Sequence, residues 1–428
     1  MISIALLSIM GIAAMLTPRE QWAPVIRGLA IVTGLAGIIA VQMDGYFQVF
    51  GFRVTQLSNI WATVIIALLI IFLMVVPRSQ AVHRLRNDHI ALLLFSTVGA
   101  LILARFNHFI TLFLGMEMVS IPMYVLAAQT HSRRSIEASL KYFILGATAT
   151  SIMTFGAALW YRSSLSFDIP GPVVTQPIGL IGIVLIICAL AFKLGLAPFH
   201  FATPDLYEGS PTSFVGYMSS ISKVAAAIAF FKVGTLFPSD SWMQIISIFA
   251  VSSLVVGSFG ALRQQSVKRL MGYSSISQAG FWVILMFNSP ISAYFGFAYG
   301  LASLLLFWVI DCVEEKTHSH TLTGLLEQDT LLGITAIISL ISLTGLPPFA
   351  GFFGKYNSLT VVIDNGHWRL LAVVIAASII GASYYFKIIF QIMSPPESSC
   401  KLHVPFLSKC GAVIGIIALV VVGILPIL

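Results

Sequence analysis

Fourteen apolar runs, each close to the roughly 20 residues that carry a helix across a bilayer, take up most of this chain. They fall near 1–16, 25–43, 59–76, 89–105, 108–128, 139–161, 176–199, 212–236, 241–261, 272–288, 291–311, 331–360, 369–391 and 409–427. Hydrocarbon offers the backbone no partner, so each run must satisfy its own N–H and C=O groups as a helix. Of the 428 residues 58% are hydrophobic and only 9% charged, and mean hydropathy is +0.96, which leaves little chain for a soluble domain. The expectation is an all-α polytopic membrane protein with 14 transmembrane helices. The first run has no basic n-region and no small-residue cleavage site, so it reads as a retained helix and not as a removable signal peptide.

A net charge of +7 does not point to nucleic acid here, because in a membrane chain the placement of Lys and Arg sets topology. Connections after odd-numbered spans hold Arg19, Arg27, Arg78, Arg84, Arg86, Arg133, Arg134, Arg263, Lys268, Arg269, Lys316, Lys387, Lys401 and Lys409. The other face holds Arg53, Arg105, Arg162, Lys232 and Arg369. By the positive-inside rule the first set is cytoplasmic, which places both termini on the outer side. Asp311, followed by Glu314 and Glu315, reads as a solvated cytoplasmic helix end. Trp22, Trp61, Trp160, Tyr161, Trp242 and Trp368 fit an aromatic belt. Cys188, Cys312, Cys400 and Cys410 are scattered without ligand spacing, so no metal or cluster site is signalled.

"GLAPF" at 195–199 and "GLPPF" at 345–349 stand 150 residues apart, each inside one of the two longest runs. Five helices and their loops account for that interval, and because five is odd the second set enters the membrane from the opposite face. The pattern is that of two inverted five-helix repeats, helices 4–8 and 9–13, with broken helices 7 and 12. Domain organisation follows: three peripheral helices over 1–88, a first repeat over 89–236, a second over 241–391 and a final helix over 392–428.

Lys141, Lys193, Lys223 and Lys355 are the basic residues not placed in a connection, and Glu117 is the clearest carboxylate inside a span. Each charge at the bilayer centre costs about 2.5–3.5 kcal/mol, so the five together would cost on the order of 12–18 kcal/mol unless they face one another or water. Burial disfavours a lysine's charged form and a nearby carboxylate favours it, so a Glu/Lys pair that changes separation can load and release a proton. Snorkelling competes with this reading for Lys141, and a place near an interface competes for Lys355. His200, Asp205 and Glu208, after the first break, are candidates for proton uptake or partner docking, with ordinary solvation as the alternative. "GFFGK" is no phosphate loop, since Phe349 stands where the first glycine belongs and Tyr356 replaces Ser/Thr.

"NHFITLFLGMEMVSIPMYVL", "RRSIEASLKYFILGATATS", "FKLGLAPFHFATPDLYEGSPT", "ISKVAA", "GALRQQSVKRLMGYSSISQAGF" and "SLTGLPPFAGFFGKY" appear in this order between about 89 and 390. Together they resemble the antiporter-like subunits of proton-pumping NADH:quinone oxidoreductase, complex I, and most of all the N type. The missing lateral extension argues against the L type, and a lysine in span 12, where the M type carries a glutamate, argues against the M type. The resemblance implies a proton relay in which Glu117 in "LGMEM" partners Lys193 in "FKLGLAPF", Lys223 in "ISKVAA" is central, Lys355 in "GFFGKY" ends the path, and Lys141 in "EASLKY" matches a further lysine. Spans 10 and 11 carry no basic residue within them, so a link from Lys223 to Lys355 is expected to use water, Tyr273, Ser274 or Ser303.

The resemblance implies no cofactor in this chain, with NADH, flavin, iron-sulfur clusters and quinone held by other subunits. Its partners would be neighbouring membrane subunits, the lipid bilayer and protons, in a bacterial inner membrane. A subunit of a multi-subunit cation/proton antiporter of the Mrp type, or of a membrane-bound hydrogenase, shares the fold and lysines and stands as the alternative. A purely structural spacer would tolerate neutral substitution of the lysines, and their depth argues against it.

Overall fold

The computed structural model describes residues 1–17, 20–76, 86–130, 132–169, 171, 173–286, 289–317, 321–396 and 404–424. Arg19, Arg78, Arg84, Cys400 and Lys401 lie outside these, as do the side chains of Glu315 and Lys316. Two helices, α1 (Ile2–Leu16) and α2 (Ala23–Met43), lead into a two-residue-per-strand hairpin, β1 (Gln48–Val49) and β2 (Phe52–Arg53). There follow α3 (Gln56–Val75), opened by a Thr55/Ser58 capping box, α4 (Asn87–Arg105), α5 (Phe109–Ala127) and α6 (Arg133–Ser164). At 32 residues α6 is about 48 Å long, well beyond the 139–161 expected, so it tilts or projects from a core of about 30 Å.

Next come α7 (Pro177–Leu194), α8 (Ala202–Gly209), α9 (Thr212–Tyr217), a π-helical turn (Met218–Ser222) and α10 (Lys223–Gly234). The rest is α11 (Ser239–Leu262), α12 (Val267–Leu285), α13 (Ser289–Thr317), α14 (Leu325–Gln328), α15 (Thr330–Thr344), α16 (Ala350–Asp364), α17 (Trp368–Met393) and α18 (Phe406–Ile424).

Eleven segments among the described residues are long and apolar enough to cross a membrane, which makes the chain a multi-pass membrane protein. The expected fourteen differ for physical reasons. At 15 residues each, α1 and α15 are short. Helix α12 carries Lys268, Arg269, three serines and Gln278, because nearly all its faces are buried in protein and none needs to suit lipid. The core is built from α12, α13 and the 212–234 segment, whereas α1, α2 and α18 leave rows of large apolar side chains exposed.

Both long runs break where the sequence indicates. Helix α7 ends with Gly195 at φ +77° and α15 with Gly345 at φ +83°. In each, the next leucine N–H reaches back five residues, Leu196 to Ala191 (2.9 Å) and Leu346 to Ile341 (3.3 Å). The same left-handed glycine cap therefore ends both helices. Ala197–Pro198 and Pro347–Pro348 are cis. The freed backbone of the first break is satisfied from α11: the Ala197 N–H donates to Ser253 Oγ (2.9 Å) and Ser252 Oγ donates to the Ala197 carbonyl (2.7 Å). Unwound chain at membrane depth needs such partners.

Three sequence readings are corrected. Asp311 is not a solvated end but 6% exposed, with Ser213 Oγ donating to it at 2.7 Å, because α13 runs on past it under α9. Lys232 is not in a connection: it ends α10 and donates to the carbonyls of Ala104 (2.9 Å) and Phe106 (3.0 Å), where a cation offsets the negative end of α4. Trp22, Tyr161 and Trp368 are exposed as a belt would require, but Trp61, Trp160 and Trp242 are buried packing residues.

Candidate functional site

Three of the four unplaced lysines line up through the interior. On α5, Glu117, Ser120 and Tyr124 are spaced three and four residues apart and share one face. Lys193, in the last turn of α7, donates to Ser120 Oγ (2.8 Å) and Tyr124 OH (3.0 Å). Glu117 is half-buried and accepts instead from Thr150 Oγ1 of α6 (2.7 Å). No ion pair within 4.0 Å joins Glu117 to Lys193 among the described residues. The expected direct pair is therefore a spaced one, with two hydroxyls holding the ammonium one turn further along α5. Tyr124 reaches it through a gap in α6: a Cβ on Gly146 would lie 2.1 Å from the Tyr124 hydroxyl.

Lys223 follows the π-helical turn directly and is 5% exposed, with Nζ donating to the Ser275 carbonyl of α12 (2.8 Å) and lying 5.7 Å from the centre of the Tyr299 ring. Turns of this kind are rare and recur at functional positions. Lys355 on α16 is 6% exposed, and its Nζ donates to the Thr344 carbonyl (2.8 Å), the negative end of α15, and lies 4.9 Å from the centre of the Phe281 ring. None of the three makes an ion pair among the described residues. Each is held by neutral oxygens, so no carboxylate fixes the ammonium form by direct contact among the described residues.

Lys141 stands apart from this row. It is exposed and ion-paired with Glu137 (2.8 Å) and Asp205 (3.0 Å). Asp205 also meets Arg269 of α12 (3.1 Å), and Glu208 meets the same guanidinium at 2.7 Å. These groups and Arg134 line a cavity of about 240 Å³. His200 lies half-buried in the break beside Phe201, with the rings stacked at 4.9 Å. Tyr273 is half-buried and its hydroxyl makes no hydrogen bond among the described residues, while Ser303 Oγ donates back to the Tyr299 carbonyl at 2.8 Å.

What lies between Lys223 and Lys355 is a cluster the sequence reading found only at Ser274. Ser274 is hydrogen-bonded to Tyr385 of α17. Gln278 Nε2 donates to Tyr385 OH (3.2 Å) and to the Leu343 carbonyl (2.8 Å). Nothing in the wording around Gln278 or Tyr385 marks them, because their role rests on helices more than 100 residues apart meeting in space. Among the described residues no three His, Cys, Asp or Glu side chains gather to hold a metal.

The profile described as NADH:quinone oxidoreductase/Mrp antiporter, TM, matches residues 106–381. The chain is 38% identical over 358 residues to NADH-quinone oxidoreductase subunit N of Cytophaga hutchinsonii, covering 80% of this chain and 78% of that one. It is 34% identical to NADH-quinone oxidoreductase subunit 14 of Thermus thermophilus, covering 80% and 79%. Its fold matches a chain of respiratory complex I from Thermus thermophilus with bound aureothin, at a TM-score of 0.89 and 28% identity, over 100% of this chain and 98% of that one. A chain of the Mrp complex from Dietzia has the same fold, at a TM-score of 0.87 and 19% identity over 99% and 93%. The chain belongs to the NADH:quinone oxidoreductase/Mrp antiporter family of membrane subunits, and within it to the NADH-quinone oxidoreductase subunit N family.

Proposed function

We propose that this chain is the proton-translocating N-type membrane subunit of a complex I-type NADH:quinone oxidoreductase. The observation that carries the reading is the row Lys193, Lys223 and Lys355, deep in the bilayer region and bound only to neutral oxygens. Lys232, also held by carbonyls, caps the end of α4, whereas these three stand in or beside the broken helices and the π-helical turn, where ionisable groups in membranes mark ion pathways. NADH, flavin, iron-sulfur clusters and quinone belong to partner subunits in this reading, and the chain has no redox site of its own.

Protons enter at the cavity of Lys141, Asp205 and Glu208, with His200 in the break that precedes α8, pass from Lys193 to Lys223, and leave from Lys355. A change in the Glu117 to Lys193 separation is the input. Fourteen crossings are counted when α1, α12 and the broken α15–α16 join the eleven long spans, and the matching caps at Gly195 and Gly345 support two inverted units over 89–236 and 241–391. Residues 1–88 then flank them on one side and 392–428 on the other. The end carrying Arg134 and Arg269 faces the cytoplasm of a bacterial inner membrane, with both termini outward.

The test is NADH-driven proton uptake by assembled complex in inverted vesicles. Lys223→Ala is expected to abolish or severely reduce uptake while the complex still assembles. Unchanged uptake in that assembled variant would remove the assignment.

A further inference from the structure

Lys223 is hydrogen-bonded to α12 and Lys355 to the end of α15, and one hydrogen-bonded cluster starts at the residue next to each anchor. The Ser275 carbonyl holds Lys223, and Ser274 beside it is hydrogen-bonded to Tyr385. The Thr344 carbonyl holds Lys355, and the Leu343 carbonyl beside it accepts from Gln278. Gln278 thus stands between Tyr385 and the Lys355 end. The identity of its inward atom is fixed by chemistry, since only the amide nitrogen can face a backbone carbonyl at 2.8 Å. That nitrogen has two hydrogens, one directed at Leu343 and one at Tyr385.

A hydroxyl or a water hands on one proton while receiving another. A carboxamide is not among the side chains that give and take protons near neutral pH. With its N–H on the Tyr385 oxygen, Gln278 also occupies an acceptor position that an incoming proton would use. The space alongside, lined by Gln278, Tyr299, Ser342, Leu343 and Gly351, is about 10 Å³, at the lower limit for a single water. All of these groups are buried, which keeps the space around the amide away from bulk water.

We propose that Gln278 is a gate: seated between Tyr385 and Leu343 it insulates Lys223 from Lys355, and protons pass only when it swings aside and one water takes its place. This deepens the proton-path reading above and rests on it. With the gate open, the Lys223 ammonium turns from the Ser275 carbonyl to the Ser274 oxygen and gives it a proton, Ser274 gives its own to Tyr385, Tyr385 gives its own to the water, and the water gives one to the neutral Lys355 amine turned from the Thr344 carbonyl. Each oxygen ends with the protons it began with, and the net change is one proton moved from Lys223 to Lys355.

The test uses assembled complex in proteoliposomes and reads two things: decay of an imposed pH gradient without NADH, and protons taken up per quinone reduced. Gln278→Ala opens the space and is expected to speed gradient decay several-fold and lower the coupling ratio. Gln278→Leu fills the same volume without exchangeable hydrogens and is expected to stay as tight as the unaltered complex. Adding Lys223→Ala to Gln278→Ala is expected to suppress the leak, because the leak runs along this path. The gate is overturned if Gln278→Ala does not leak, if Gln278→Leu leaks equally, or if the leak survives loss of Lys223. Unchanged pumping in Lys223→Ala alone would instead count against the proposed function, which the NADH-free leak measurement does not depend on.

Discussion

Tyr124 depends on a residue that makes no bond to it. Its hydroxyl occupies the place where any side chain at Gly146 would begin, and from there it reaches the Lys193 ammonium. Gly146→Ala is expected to push Tyr124 off Lys193 and lower proton uptake, while quinone reduction and assembly persist. Hydrogen bonds to a charged group are worth about 1.5–3 kcal/mol, so losing one of two at Lys193 is enough to change the occupancy of its protonated form. Fluorescence quenching in inverted vesicles checks this; unchanged uptake would show that Ser120 alone holds the lysine. The positions of Lys193, Lys223 and Lys355 were legible in the sequence because charge inside an apolar run has few explanations. Their partners were not, since Ser120, Tyr124, Gln278 and Tyr385 are ordinary interior residues until the helices are placed. Lys232 misled for the converse reason: it closes an apolar run as a loop residue would, and only the approach of α4 shows it to be a cap.

Among the elements, the two broken spans were the most readable, because glycine followed by proline has a direct backbone meaning. The breaks are nevertheless not interchangeable. At Gly195 an added Cβ would meet the flexible Thr203 side chain at 2.9 Å, but at Gly345 it would lie 2.6 Å from Cδ of Lys355. Both positions have positive φ, which costs a non-glycine residue about 1–2 kcal/mol. Gly345→Ala is therefore expected to reduce pumping more than Gly195→Ala at equal assembly, and paired measurements of uptake per assembled complex decide it. Helix α12 was the least readable element. Its serines, its glutamine and two basic residues look like a weak span, and the reason is its position in the centre of the molecule, where its polarity meets other helices.

Across the whole molecule, the peripheral helices are tied to the central ones by a buried charge pair. Arg105 of α4 is fully buried and meets Asp44, at the end of α2, at 3.0 Å. Asp44 also holds the N-terminal ammonium at 2.8 Å, so it is removal of Asp44 that strands a buried charge, that of Arg105, a loss of about 3–5 kcal/mol. Asp44→Ala is expected to lower the amount of assembled complex while the complex that remains pumps normally, as native gels and activity per complex would show; normal abundance would mean the pair is dispensable. The membrane class was visible from composition, and the alternation of loop charges from where Lys and Arg fall along the sequence. The tie at Asp44 was not, since Arg105 closes a span as a topology signal would. Asp205 presents the opposite case. It is a single carboxylate shared by Lys141 of α6 and Arg269 of α12, all at the partly solvated end, where solvent screening leaves such contacts weak. Asp205 rides on the short helix α8, so a shift of α8 changes its contacts with α6 and α12 together.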